Sequence, residues 1–164
     1  MKLLLGVLIV CFTSYCGYFL SKKYRTRKLF FIQLYEFNEY YLNEISYFRR
    51  PLPEILNRRT YKGAFAELLK RFFGLLKENS TKKTAIYDLL SAYDFLTEDE
   101  KSTVGDYFSM LGSGDSNSQK EYFGSVKSTL ADLKNKSVAD SEKYGSLFIK
   151  LGFLFGLTVL ILIV

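Results

Sequence analysis

The sequence predicts an all-α protein in which a helical bundle domain of about five to six helices lies between two transmembrane helices. Three observations favour this class. Both ends of the chain are almost purely apolar, the residues between them carry apolar side chains at helical spacing, and the two prolines lie together at Pro51 and Pro53. The predicted domains are an anchor at 1–21, a helical domain at 22–146 and a second anchor at 147–164, with the long terminal helices of the domain continuous with the anchors.

The N-terminal segment, residues 3–20, is apolar apart from Thr13 and Ser14. Its eighteen residues, at about 1.5 Å each, span roughly 27 Å, which is about one hydrocarbon core. A cleaved secretory signal is the alternative interpretation. Against it, the segment ends in Tyr18-Phe19-Leu20 and not in a small-residue cleavage site. A retained anchor is therefore favoured.

A basic run follows this segment directly, whereas only Lys2 precedes the segment. By the positive-inside rule, the N-terminus should face outward and the chain from residue 21 onward should lie in the cytoplasm. A nucleic-acid site is the alternative role for such a cluster, but contact with anionic lipid is the commoner one. The residues that determine this topology are Lys22, Lys23, Arg25, Arg27 and Lys28.

The next segment predicts a long helix that continues the anchor. Its apolar residues recur in steps of three or four and form one stripe. Glu44 falls on the flank of this stripe, so we expect its carboxylate to be half-buried and paired with a nearby arginine. The stripe comprises Phe30, Leu34, Phe37, Tyr41, Ile45 and Phe48, and the candidate arginines are Arg49, Arg50, Arg58 and Arg59.

The prolines end this helix and form a corner at residues 44–54, since proline lacks a backbone N–H and disfavours helix in the residue before it. Pro51 suits the first turn of the following helix. The corner is the main candidate site, and two roles remain open: a lock between two helices, or a surface for a partner protein. Its residues are Glu44, Tyr47, Arg49, Arg50, Pro51, Leu52 and Glu54.

The middle of the chain predicts helices at about 52–59, 62–77, 84–93 and 98–111, with a loop at 79–81. Thr97 and Glu100 match a capping box, and Asp115 caps the last helix with Gln119 in its first turn. Metal binding by the acidic residues near 98–100 is the alternative. An EF-hand would need more oxygen ligands at fixed alternation, so capping is favoured.

The C-terminal apolar segment is counted from residue 147, with Lys150 able to extend its amine to the headgroups. Lys143 and Lys150 precede the main apolar stretch, which places the cytoplasm on its N-terminal side and agrees with the first anchor. Gly152 and Gly156 form a small-xxx-small pair that suits close packing of transmembrane helices, and Gly6 and Gly17 can serve similarly in the first anchor.

The composition argues against catalysis. The chain contains no histidine, its two cysteines, Cys11 and Cys16, both lie in the first apolar segment, and no Gly-rich phosphate-binding loop is present. We therefore expect no enzymatic activity, no cofactor, no metal and no small-molecule substrate. An interaction or scaffold protein is the favoured class.

Three blocks of the sequence carry a pattern: Glu44-Ile45-x-Tyr47-x-x-x-Pro51-Leu52-x-Glu54, Leu111-Gly112-x-x-x-Asp115-x-x-x-Gln119 and Leu151-Gly152-Phe153-Leu154-x-Gly156-Leu157. In this order and spacing they resemble the stage III sporulation protein AB family of endospore-forming bacteria, over essentially the whole chain. The chain departs from the family pattern in two respects: Tyr and Phe replace Ala, Leu and Arg in the first long helix, and the linker near Asn79 is short.

This resemblance implies a function. The family is one component of the channel apparatus between mother cell and forespore, and its helical domain is similar to the cytoplasmic domains of type II secretion and type IV pilus inner-membrane platform proteins. The implied partners are a cytoplasmic secretion-type ATPase, other membrane proteins of the channel complex and the lipid bilayer. The implied location is the cell membrane, with the soluble domain on the mother-cell side.

Two alternatives to this function remain. The first is a platform protein of a secretion or pilus system outside sporulation. The second is a membrane-tethered nucleic-acid-binding protein, suggested by a net charge of +6. A nucleic-acid binder would need a basic face with exposed aromatics, whereas here the cations lie at the membrane flanks and the aromatics on core stripes. We therefore expect no nucleic-acid partner.

Overall fold

The computed structural model describes residues 2–48, 50–77, 83–113 and 115–163. Within these residues it contains six α-helices, one π-helical turn and no strand, so the predicted all-α class is confirmed. The helices are α1 (Lys2–Asn43), α2 (Leu52–Arg58), α3 (Gly63–Lys77), α4 (Lys83–Ser91), α5 (Glu98–Met110) and α6 (Ser116–Ile163), and the π-helical turn is Glu44–Phe48. The loop predicted at 79–81 lies outside the described residues.

The chain divides into two compact units. Met1–Lys28 and Asn135–Val164 form one, called here the hairpin unit, and Leu29–Lys134 form the other, called here the bundle unit. The helices α1 and α6 contribute to both, whereas α2 to α5 belong to the bundle unit. In this division residues 22–28 and 135–146 group with the apolar segments, whereas the boundaries of the anchors themselves stay a prediction.

The core of the bundle unit is built largely from aromatic side chains. Rings from different helices meet edge to face: Phe30 and Phe65 lie 5.6 Å apart between centroids, Tyr41 and Phe123 4.9 Å, and Phe72 and Phe108 5.0 Å. Such pairs contribute about 0.5–1.5 kcal/mol each beyond the area they bury. Packing therefore explains the buried Phe and Tyr of the bundle unit.

The predicted stripe on α1 is buried from Phe30 to Ile45 and is wrong at its last position. Phe48 is 59% exposed. The α-helix gives way to the π-helical turn at Glu44, and a π-helix advances by more residues per turn than an α-helix. In a continuous α-helix the spacing would place Phe48 on the buried stripe. In the π-helical turn the same spacing places Phe48 toward solvent.

Two local features organise the segment around α5. The Thr97 hydroxyl accepts a hydrogen bond from Glu100 N–H at 3.3 Å, and the Thr97 N–H donates to the Glu100 carboxylate at 3.1 Å, so both bonds of a capping box are present. After α5, Gly112 has a φ of +76° and a Cβ there would lie 3.0 Å from Leu52 Cδ2. Glycine at position 112 thus permits both the left-handed backbone conformation and the close approach of Leu52.

In the hairpin unit, α1 and α6 approach through glycines. A Cβ on Gly152 would lie 2.6 Å from the Thr13 carbonyl oxygen, and one on Gly156 would lie 2.8 Å from Val10 Cα. Gly17 abuts the carbonyl of Phe148. As the residue number increases along α1 from Val10 to Gly17, the number of the contacting residue on α6 decreases from Gly156 to Phe148. The two helices therefore run antiparallel, with their backbones in contact.

The described residues contain one helix that by length and composition can cross a membrane, Asn117–Leu162, whose most apolar window has a mean hydropathy of 2.1. The predicted N-terminal anchor is not identified by this criterion. Membrane association through the C-terminal helix is therefore supported, and the two-pass topology stays a prediction.

Candidate functional site

The corner between α1 and α2 consists of the π-helical turn and a short extended segment. Pro51 lies just outside α2, with φ −67° and ψ 144°, and its carbonyl accepts hydrogen bonds from Glu54 N–H at 3.0 Å and Ile55 N–H at 3.3 Å. Pro53, not Pro51, occupies the first turn of α2. The Pro51 carbonyl therefore accepts the first hydrogen bonds of α2, which has no side-chain cap. π-helical turns such as Glu44–Phe48 are frequent at functional sites.

Glu44 is buried at the inner side of this corner, with 5% of the whole residue exposed. Arg50 Nη1 donates to Glu44 Oε2 at 2.6 Å, and Arg50 Nε lies 3.7 Å from Glu54 Oε1. Glu54 is also bound by Arg58 Nη2 at 2.9 Å. Burial of a carboxylate requires such a partner, so Arg50 links the π-helical turn after α1 to α2. This geometry suits the predicted lock between the two helices, which stays a prediction.

The Tyr40 hydroxyl, one helical turn before Glu44, interacts with the Glu44 carboxylate. Its pKa is raised first by desolvation and then by the hydrogen bond and negative charge of Glu44. The tyrosine hydroxyl therefore remains a neutral hydrogen-bond donor beside the Glu44–Arg50 pair.

The outer side of the corner exposes two aromatic side chains. Tyr47 is 80% exposed and Phe48 is 59% exposed. The Arg50 guanidinium lies 4.4 Å from the Phe48 ring centroid, so the arginine of the lock also supports the exposed ring. Leu52, by contrast, is buried against Gly112. The structure thus brings Tyr47 and Phe48 together at the surface, and Arg49 lies outside the described residues.

A groove of about 290 Å³ lies next to the corner, between the end of α2 and α3. Arg59 contacts Glu36 at 3.4 Å, and burial raises the pKa of Tyr61 to about 12. Sequence reasoning missed this groove because its walls come from two separate segments. The residues that line it include Leu56, Arg59, Tyr61, Leu69, Lys70 and Phe73.

The residues predicted to start α6 hold two helices together. Asp115 Oδ2 accepts a hydrogen bond from Asn117 N–H at 3.3 Å, and hydrogen bonds, first from the Ser118 side chain, lower the Asp115 pKa. Gln119 is buried, accepts a hydrogen bond from the Tyr41 hydroxyl and donates to the Ser113 carbonyl at 2.9 Å. Gln119 therefore joins α1 to the loop before α6.

The residues of the basic run predicted to determine the membrane topology differ in burial in the structure. Arg27 is 8% exposed, and its Nη1 lies 2.7 Å from Asp140 Oδ2 on α6. Lys28 Nζ lies 3.9 Å from Glu142 Oε1. Lys22, Lys23 and Arg25 have exposed side chains. Arg27 and Lys28 therefore pair with acidic residues of α6 inside the hairpin unit. The surroundings of Gly6 lie outside the described residues.

Within the residues that the structure describes, no group of three or more Asp, Glu, Cys or His side chains is placed to hold a metal ion. The corner offers a buried ion pair and exposed aromatic rings. It therefore has the character of a packing and contact site.

A comparison with protein-family models matches residues 2–164 to the family described as stage III sporulation protein AB. The chain belongs to this family. The match covers all three blocks that carry the resemblance, so the suspected stage III sporulation membership is confirmed. Searches of the curated proteins and of the solved structures found no match.

Proposed function

We propose that this stage III sporulation AB protein is a non-enzymatic membrane platform of the channel apparatus between mother cell and forespore, and that its bundle unit docks a cytoplasmic secretion-type ATPase. The observation that carries the docking proposal is the exposed pair Tyr47 and Phe48 beside the Glu44–Arg50 lock. Aromatic and arginine side chains are enriched among the residues that dominate protein interfaces. A rigid support also lowers the entropy lost on binding.

The two-pass arrangement is the second part of the proposal. Large apolar side chains of both terminal segments are exposed, including Phe12 and Phe19 on α1 and Phe153 and Phe155 on α6. Soluble proteins rarely expose apolar surface on this scale. Since the segments contact each other through Gly17, Gly152 and Gly156 while their large side chains point away, lipid is the medium that suits them. The basic residues after the first segment then orient the bundle unit toward the cytoplasm.

The docking proposal is tested by capturing a purified cytoplasmic secretion-type ATPase of the same organism on the detergent-solubilised chain. The double variant Tyr47→Ser, Phe48→Ser should weaken binding at least about tenfold, because truncating one aromatic residue that dominates an interface costs about 2 kcal/mol. Both rings are exposed, so the double variant should remain folded, which circular dichroism checks.

Lys70→Glu, in the neighbouring groove, is the matched surface control and should bind the ATPase normally. If Lys70→Glu lost binding while the Tyr47, Phe48 double variant bound normally, the ATPase would bind at the groove and not at the corner. The variants Glu44→Ala and Arg50→Glu extend the test to the lock. Normal binding by folded forms of all the corner variants would contradict docking at the corner.

A further inference from the structure

Two segments of the bundle unit carry opposite charges. Residues 50–77 contain seven basic and two acidic side chains, whereas residues 83–113 contain two basic and six acidic ones. Most of these side chains are exposed, so the first segment presents a basic surface and the second an acidic surface. The exposed cations of the basic surface are Arg58, Arg59, Lys62, Lys70, Arg71 and Lys77. The exposed carboxylates of the acidic surface are Asp88, Asp94, Glu98 and Asp99.

Ion pairs inside one copy do not neutralise either surface. The two carboxylates of residues 50–77 pair with arginines of the same segment, and the two lysines of residues 83–113 pair with carboxylates of theirs. Each segment therefore keeps charges of its own sign in excess, even after Arg59 pairs with Glu36 of α1 at 3.4 Å. The four pairs within the segments are Glu54–Arg58, Glu67–Arg71, Lys83–Asp106 and Glu98–Lys101.

The two surfaces border different helices of the bundle unit. The basic surface borders α1, where Arg59 contacts Glu36. The acidic segment borders α6, because desolvation and then the Asp106 carboxylate raise the pKa of Tyr122 on α6. One copy can therefore present the two surfaces to two different neighbours.

Both segments also reach the same level along α1. Gln33 Oε1 accepts a hydrogen bond from Lys62 N–H at 2.6 Å. Phe95, between α4 and α5, lies 5.5 Å from Phe30 between ring centroids. Since Phe30 and Gln33 are three residues apart on α1, these two contacts differ in level by about 4.5 Å. Copies that stand side by side in one orientation therefore bring the basic surface of one to the level of the acidic surface of the next.

We propose that this chain associates with further copies of itself, the basic surface of one bundle unit binding the acidic surface of the next. The proposal rests on the two-pass insertion proposed above, which holds the copies in one orientation. Surfaces of opposite charge steer such an encounter and fix its register. Because the two surfaces differ, the contact is head-to-tail and either closes into a ring or continues as a row. Tyr47 and Phe48 of the corner belong to neither surface and stay available to the ATPase.

The test measures Förster transfer between donor-labelled and acceptor-labelled copies of the full chain in vesicles of zwitterionic phospholipid. Cys11 and Cys16 are replaced by serine, and the label is attached through Ser128→Cys, at an exposed position of α6. Transfer should exceed that of randomly distributed copies. It should fall as salt is raised from about 0.1 M to about 1 M, because the screening length then drops from about 10 Å to about 3 Å.

Two variants reverse charges on one surface each. Lys62→Glu, Lys70→Glu alters the basic surface, and Asp88→Lys, Asp99→Lys alters the acidic one. Each should weaken self-association at least about tenfold, because like charges then face each other. A mixture of the two variants should regain transfer, since the unaltered acidic surface of the first meets the unaltered basic surface of the second. Misfolding of either variant would prevent this rescue.

The control Lys120→Glu, Lys127→Glu changes the net charge as much as the basic-surface variant does, at exposed positions of α6, and should associate normally. Flotation with the vesicles reports insertion separately. Random-level transfer by unaltered protein that floats overturns self-association and leaves insertion standing, whereas failure to float overturns both. Association that survives both reversals, weakens equally in the control or is not regained on mixing also overturns the proposal. Reversed variants that keep self-association but no longer capture the ATPase would assign these surfaces to that partner instead.

Discussion

Gly152→Leu is expected to force α1 and α6 apart in the hairpin unit and to destabilise the detergent-solubilised chain by about 3 kcal/mol, the upper part of the range for overpacking. A Cβ at position 152 would lie 2.6 Å from a backbone oxygen, that of Thr13. A backbone atom cannot rotate away as the end of a side chain can. The helices must therefore separate and lose contacts along their whole apolar length.

The matched control is Gly124→Leu on the same helix. Nothing lies within 4 Å of a Cβ at position 124, and leucine favours helix over glycine by about 0.5–1 kcal/mol. The control should therefore be neutral or slightly stabilising. Thermal melting followed by far-ultraviolet circular dichroism compares the two variants. Equal melting temperatures for Gly152→Leu and the unaltered protein would contradict glycine-mediated packing.

Arg50→Met should destabilise the bundle unit by about 3 kcal/mol, because it leaves the Glu44 carboxylate buried without a cation. The Glu44 side chain is 7% exposed, whereas that of Arg50 is 24% exposed and also lies 3.7 Å from Glu54. Glu44→Gln should therefore cost less, about 1 kcal/mol, since the arginine left behind keeps water and Glu54 as partners. The same melting experiment measures both variants.

Arg71→Met is the control for this pair. Arg71 binds Glu67 one turn away on α3, with side chains 51% and 54% exposed. Exposed pairs of this kind contribute about 0.5 kcal/mol or less, so the control should leave the melting temperature nearly unchanged. If Arg50→Met were no more destabilising than Arg71→Met, the Glu44–Arg50 pair would not be a lock.

Much of the fold was predictable because it depends on local signals. The apolar ends, the helical spacing of Phe30, Leu34 and Phe37, and the capping residues Thr97 and Glu100 all act within one helix or one turn. The two prolines located the break between α1 and α2 for the same reason. Position 48 was not predictable from spacing, because a π-helical turn changes the number of residues per turn.

The candidate site was predictable only in part. Its position beside the stripe predicted that Glu44 is half-buried, whereas the structure buries it almost fully. Arg50 was one of four arginines near enough in sequence to pair with it. The choice among them depends on how α2 packs, which spacing does not determine. The partner of Arg27 was not predictable from spacing either. The sequence groups Arg27 with the cations expected to contact lipid, whereas in the structure it pairs with Asp140. The groove near Arg59 and Lys70 was missed because it forms only when α2 and α3 meet.

The central claim, a bundle unit held in the cytoplasm by two membrane helices, is tested most directly by cysteine labelling in intact cells. Cys11 and Cys16, both free, are first replaced by serine, and single cysteines are then introduced as Lys2→Cys or Tyr47→Cys. We predict that a membrane-impermeant maleimide labels position 2 in intact cells and position 47 only after permeabilisation. Labelling of position 47 in intact cells would contradict the account.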